Sequence, residues 1–287
     1  MLIALASVKG SPGVTTFALA LAASWPADVR RVVVECDPAG GDLAQRFGLA
    51  TSPGLLSLAA AARQPVDPDV VWNHTQPLPG SIQVIPGPPG GQQARAALST
   101  LTSPTSPLYG TARQPAVAMF ADCGRLDPGS PAEGVIRHAD VLLLISGTYS
   151  DELAHLATRV HELGHTAARA CLVLAGHGHP THAVERELRI PVMARIPDDP
   201  SAAARYTGRA ATGRRRPGGL IRVANVVAQA LSNGSPRGPS QPIPDFVQQV
   251  PGVPAQPTAA SGVRLLPPPA LHNGHPQTSA SGKDVRS

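Results

Sequence analysis

The chain has 287 residues, of which 42% are hydrophobic, 15% charged and only 3% aromatic. That is enough apolar material for a full core, built from Ala, Val, Leu and Ile. The net charge is +5, and Lys9 and Lys283 are the only lysines among 24 basic residues. No stretch reaches ~18 uninterrupted apolar residues, which excludes an apparent membrane span. The first 27 residues look superficially like a secretion signal, but Lys9 follows the first apolar run instead of preceding it. Three cysteines, each in or beside an apolar run, read as reduced thiols of a cytoplasmic protein.

Taken in chain order, apolar runs alternate with helical patterns. Strands are expected at Leu2–Val8, Arg31–Cys36, Ser81–Ile85, Ala116–Ala121, Val141–Ser146, Cys171–Ala175 and Val192–Ile196. Helices are expected at Thr16–Trp25, Leu55–Arg63, Gln92–Leu101, Glu152–Leu163 and Leu220–Leu231. In the last of these, Arg222, Asn225 and Gln229 share one polar face, so the rest should pack on the core. Continuous apolar strands separated by helices predict an α/β domain over 1–231, with a mainly parallel sheet covered on both faces. Residues 232–287 carry eleven prolines and lack periodicity. They read as a disordered tail, with apolar islands at Asp245–Val250 and Val263–Leu266 that offer a partner something to hold.

The most informative segment is VKGSPGVTT, Val8 to Thr16, between the first strand and the first helix. Gly10 and Gly13 permit backbone conformations that residues with a Cβ resist. Such a loop turns its amides toward one point, and the helix start adds free N–H groups and a positive dipole end. This is the recipe for a phosphate site, in which Thr15 or Thr16 offers a hydroxyl to Mg²⁺. As a bare pattern it departs from GxxxxGK[ST], because Val8 occupies the first glycine and Val14 the lysine. A tight structural turn reads equally from the segment alone.

Two further strand ends sharpen the reading. The second strand runs into VECDPAGGDLAQRF, and the strand AVAMFA into Asp122-Cys123-Gly124. Asp37 and Asp122 would then lie at carboxyl ends of strands, where ligands bind in open α/β sheets. Asp122 is suited to supporting Mg²⁺ through water and Asp37 to orienting an attacking water. Either aspartate alone reads as a cap or turn former.

With these three motifs in this order, residues 1–231 resemble the deviant Walker A ATPases, the ParA/MinD family. They look nearest to its actinobacterial branch, here with a degenerate P-loop. The resemblance implies a three-layer P-loop NTPase fold. It implies a phosphate and cofactor site at Lys9, Gly10, Ser11, Gly13, Val14, Thr15, Thr16 and Asp122, with Thr15, Asp37 and Asp122 at the metal. Lys9 falls on the lysine that reaches across a dimer to the partner's nucleotide, and Asp37 on the aspartate linked to hydrolysis. ATP and Mg²⁺ are thereby the implied cofactors. The implied assembly is a homodimeric switch that recruits DNA, a polar protein or a secretion apparatus, as in chromosome partitioning. Losing the P-loop lysine to Val14 should weaken nucleotide binding by about 2–4 kcal/mol. It should also slow hydrolysis, since this chemistry depends on positioned charge. A nucleotide-indifferent pseudo-ATPase scaffold is the alternative.

Three weaker signals complete the inventory. His177, His179 and His182 have a spacing compatible with a metal but read as a solvated loop without an acidic partner. His155, His161 and His165 do not share one helical face. Arg205, Arg209 and Arg214–Arg216 form a basic cluster that is either a solvated loop or a contact for DNA phosphates.

Overall fold

A computed structural model describes residues 1–10, 12–64, 67–208 and 218–234. The first apolar run forms β1 (Leu2–Ser7), which turns through the Gly10–Gly13 bend into α1 (Val14–Ser24). There follow β2 (Arg30–Glu35), α2 (Leu43–Phe47) and α3 (Leu55–Ala61). A 3₁₀ turn at Pro68–His74 then leads to β3 (Gln76–Leu78), β4 (Ile82–Ile85) and α4 (Gly91–Leu101). Next come α5 (Pro107–Ala112), β5 (Val117–Arg125), α6 (Ala132–Arg137), β6 (Val141–Gly147) and α7 (Ser150–Gly164). The order closes with β7 (Ala170–Ala175), α8 (Thr181–Leu188), β8 (Val192–Ile196), α9 (Pro200–Arg205) and α10 (Gly219–Ser232).

The eight strands form one sheet in the order β3-β4-β2-β5-β1-β6-β7-β8. Every pairing is parallel except the β3–β4 hairpin. Pro77 sits in β3, at the sheet edge, where a missing N–H is tolerated. Side chains alternate between two apolar layers. Ile3, Leu5 and Phe120 face one layer with α1 and α10. Leu2, Ala4, Met119 and Ala121 face the other, beneath α3 to α8. This is the expected three-layer α/β arrangement.

α10 presents Arg222, Asn225 and Gln229 to solvent and buries Leu220, Ala224, Val227, Ala228 and Leu231. Small residues of α1, among them Ala18 and Ala22, lie in the same layer and allow the two helices to approach closely. Leu231→Ala is expected to cost about 2–4 kcal/mol through the cavity it leaves. A urea midpoint lowered at unchanged m would register it.

The strand β5 runs further than its apolar run suggests. It was expected to end at Ala121 but continues to Arg125, because Ser7 pairs with Arg125 after a shift that gives β5 one extra residue between Asp122 and Arg125, and Leu126 N–H donates to Ser7 O at 2.8 Å. Six short elements, α2, α5, α6, α8, α9 and the 3₁₀ turn, were not among the expected helices. Each has 5–8 residues, too few to express a 3.6-residue period. The tail from 235 on, with both apolar islands, lies outside the described residues. So do Ser11, Arg209 and Arg214–Arg216.

Candidate functional site

The carboxyl ends of β1, β2 and β5 are neighbours in the sheet, with β5 between the other two. Glu35 pairs with Asp122 across β2 and β5, and Leu5 with Asp122 across β1 and β5. The loop after β1, the loop after β2 and Asp122 therefore meet at one place. This is where the chain reverses its direction of winding, since β2 lies on one side of β1 and β6 on the other.

Gly10 and Gly13 adopt φ of +70° and +92°. A Cβ built on Gly10 would meet nothing within 4 Å, so backbone conformation alone, and not crowding, calls for glycine there. Gly13 is the N-cap of α1 and supplies no side-chain acceptor to the first-turn amides. The first turn also contains no acidic residue. Among the described residues no side chain caps its first N–H groups, an arrangement compatible with an anion. Lys9 is exposed at the bend, and Thr15 and Thr16 are half-buried in the first turn. Val14 is only 6% exposed and belongs to the apolar layer that contains Phe17 and Leu5. The position that holds lysine in the standard pattern has been absorbed into the core.

Asp122 is 1% exposed. Its Oδ1 accepts from Gly124 N–H at 3.2 Å, and the Thr15 hydroxyl faces the carboxyl and favours its charged form. Its Oδ2 is buried and has no hydrogen-bond partner among the described residues. Burial pushes the Asp122 pKa up to about 6, with the Asp37 charge adding to the rise. Asp37 approaches from the loop after β2. Its Oδ1 accepts from Ala39 N–H at 2.7 Å. Its Oδ2 lies against Gly124, where a Cβ would sit 1.8 Å away. Burial raises the pKa of Asp37 as well. An orphaned carboxylate oxygen, a second carboxylate and a threonine hydroxyl form an oxygen set of the type that holds Mg²⁺. The residues present fit the metal that the motifs imply.

Glu35, which the sequence reading assigned no role, is also part of this site. It is 2% exposed at the end of β2. Its Oε1 accepts from Asp42 N–H at 2.7 Å and Leu43 N–H at 2.9 Å, and its Oε2 from Gly87 N–H at 2.8 Å. Burial raises its pKa to about 7 despite these bonds, with the Asp122 charge contributing. The signal available in the sequence was an acidic residue at the end of VVVEC, followed 52 residues later by the glycine of PGPPGG.

The remaining sequence signals lie elsewhere. Cys36 and Cys123 are buried beside the site, and burial drives both thiols upward, which makes them inert packing groups. Among the described residues no cluster of three or more His, Cys, Asp or Glu is arranged for a metal. The loop holding His177 and His179 does have an acidic neighbour, contrary to expectation: Asp198 lies 4.0 Å from His177 Nε2. Arg195 organises this loop by donating to Gly176 O, His179 O and Thr181 Oγ1. His182 lies in α8. Arg205 is exposed at the end of α9. No described helix is long and apolar enough to cross a membrane.

Neither a protein-family model nor a curated protein sequence matches the chain. Solved structures do. The chain is similar to a ParA family ATPase from Chlorobium tepidum (TM-score 0.64, 19% identity, 80% of this chain and 98% of that one). It is similar to the cell division ATPase MinD of Pyrococcus furiosus (0.66, 18%, 82% and 99%). It also resembles the septum site-determining protein MinD of Pyrococcus horikoshii, solved with Mg-ADP (0.66, 15%, 82% and 98%). At these identities the likeness is one of fold, and it spans nearly the whole of each of those proteins.

Proposed function

We propose that the chain is a ParA/MinD-like nucleotide-binding protein that takes ATP and Mg²⁺ at the ends of β1, β2 and β5. The observation that carries this reading is the buried Asp122 Oδ2, unpartnered among the described residues, beside Thr15 and Asp37 at the mouth of a helix whose N-cap, Gly13, offers no side chain. A solvent-excluded carboxylate oxygen without a donor is costly unless a cation completes it. Lys9, Gly10, Ser11, Gly13, Val14, Thr15 and Thr16 would line the phosphates. Thr15, Asp37 and Asp122 would hold the metal directly or through water. When bound, Mg²⁺ supplies the positive charge that phosphoryl oxygens require. Asp37 would orient a water, and the exposed Lys9 would extend toward a second copy. The protein would then be a cytoplasmic, homodimeric switch for positioning DNA or a cellular machine, with slow hydrolysis. Exposed Arg205, with Arg209 and Arg214–Arg216, is the segment proposed to touch DNA.

The burial of Val14 favours a second reading, a pseudo-ATPase scaffold that keeps the dimer face without turnover. Titration with a fluorescent ATP analogue, with and without Mg²⁺, followed by sizing of the complex, decides between them. Mg²⁺-dependent binding that drives dimerisation supports the switch, and a dimer indifferent to nucleotide supports the scaffold. No binding at millimolar ATP overturns the nucleotide reading. Val14→Lys is expected to tighten Mg-ATP at least tenfold and to raise turnover, by restoring charge at the phosphates. Native turnover already matching that of ordinary relatives would refute slow hydrolysis by this chain.

A further inference from the structure

We infer that Glu35 is a positioning residue: it ties the Asp37 loop to the loop that follows β4, so that residues 37–43 and 86–91 act as one element. The inference concerns the backbone of the site, and only its functional consequence rests on the nucleotide reading.

α2 lacks an ordinary N-cap. Asp42 occupies the cap position, but its side chain makes no cap hydrogen bond and instead pairs with Arg46 at 2.7 Å. Glu35 takes over from the preceding strand, accepting from the N–H groups of Asp42 and Leu43. A carboxylate at a helix start is favoured by the free amides there. Its other oxygen reaches Gly87, 52 residues on in sequence, so one side chain spans two loops. A second bond reinforces the first, since Gly41 N–H donates to Pro88 O at 2.8 Å. Arg95 of α4 adds a third link through Pro38 O at 3.1 Å.

The packing leaves no slack between the loops. A Cβ on Gly41 would lie 2.4 Å from Glu35 Oε2 and 2.7 Å from Gly87 O, and one on Gly40 2.5 Å from Pro89 O. The glycines of DPAGGD and PGPPGG thus admit backbone against backbone, with the Glu35 carboxylate between them. Asp37 is two residues from Glu35 and one residue before Pro38, which Arg95 holds. Its placement on Gly124 follows from this clamp.

Amide hydrogen exchange on the full chain, without nucleotide, tests the clamp directly. Gln fills the same volume as Glu but replaces one of the two acceptor oxygens by an NH₂, so it can serve only one of the two loops, whereas Asp keeps two acceptors at shorter reach. Glu35→Gln is expected to speed exchange at least tenfold on one side of the clamp, at Gly87 or at Asp42 and Leu43, with amides of β1 and α10 unchanged. Glu35→Asp should restore part of that protection. A merely space-filling role predicts the reverse order, with Gln harmless and Asp disruptive. Unchanged exchange at the three amides in folded Glu35→Gln, or uniform acceleration across the sheet, overturns the inference. If Glu35→Gln does not fold, Gly41→Ala, which drives a methyl into Oε2, is held to the same criteria. Repeating the measurement with Mg-ATP separates the two readings. Protection of 37–43 and 86–91 together by nucleotide joins the clamp to the site. A clamp present without any response to nucleotide retires the nucleotide reading and leaves the clamp standing.

Discussion

Gly124→Ala is expected to abolish Mg²⁺-dependent nucleotide binding while leaving the sheet intact. Two independent costs converge at this residue. Its φ of +56° lies in the left-handed region, where a Cβ costs about 1–2 kcal/mol. The same Cβ would stand 1.8 Å from Asp37 Oδ2 and 2.1 Å from its Cγ, so Asp37 must leave. The carboxylate can swing away by side-chain rotation, but Asp37 Cβ would stay 2.8 Å from the added methyl, so the loop fastened through Glu35, Pro38 and Gly41 must yield as well. Either movement takes the Asp37 carboxylate away from its present position. A loss of more than 100-fold in Mg-ATP affinity, with a fall of about 1–3 kcal/mol in stability, is the predicted outcome. Titration with a fluorescent ATP analogue and urea unfolding measure the two parts. Affinity within threefold of the native chain would show that Asp37 takes no part in binding.

That contact also marks the limit of what the sequence discloses. Long elements were legible because their residues state their own environment. VLLLIS can only be a doubly covered strand, and Arg222, Asn225 and Gln229 at helical spacing define the solvent face of α10. The P-loop segment was legible because a bend followed by a helix needs glycine at set places, and both Gly10 and Gly13 adopt positive φ. The convergence of Asp37 and Asp122 was legible at the level of strand ends. Their packing through Gly124 was not, because it depends on β5 continuing past Ala121 with one extra residue relative to β1. Glu35 was missed for a related reason. Its partners are backbone amides, which carry no residue identity, and one of them lies 52 positions away. Val14 was visible as a departure from the pattern, whereas its burial beside Phe17 emerges only from the packing.

Asp122→Asn is expected to stabilise the nucleotide-free protein at pH 8 by about 1–3 kcal/mol and to eliminate any gain from Mg-ATP. The buried carboxylate has a pKa raised from 3.8 to about 6, so its ionisation opposes folding. Around it stand the Thr15 hydroxyl, the Gly124 amide and the Arg46 charge, which favour ionisation, and Asp37 and Glu35, which oppose it. Glu35 is itself raised to about 7. Between about pH 4 and pH 7 the native chain thus binds more protons than the unfolded chain. Stability must fall as pH rises through that window and level off above it. His74 and the Met1 amino group, whose pKa values burial lowers, work in the opposite sense, and both are only partly buried. Thermal unfolding of the native chain across this range should show the decline. Asp122→Asn should flatten the part due to Asp122 and leave the part due to Glu35. A cation held by Asp122 reverses the balance, because it favours the ionised carboxylate that burial disfavours. Mg-ATP should accordingly raise the melting temperature of the native chain most at pH 8, and that of Asp122→Asn not at all. A native chain more stable at pH 8 than at pH 5 without ligand would mean that Asp122 is already neutralised from within the protein. The site would then have no vacancy in its charge for a metal to fill.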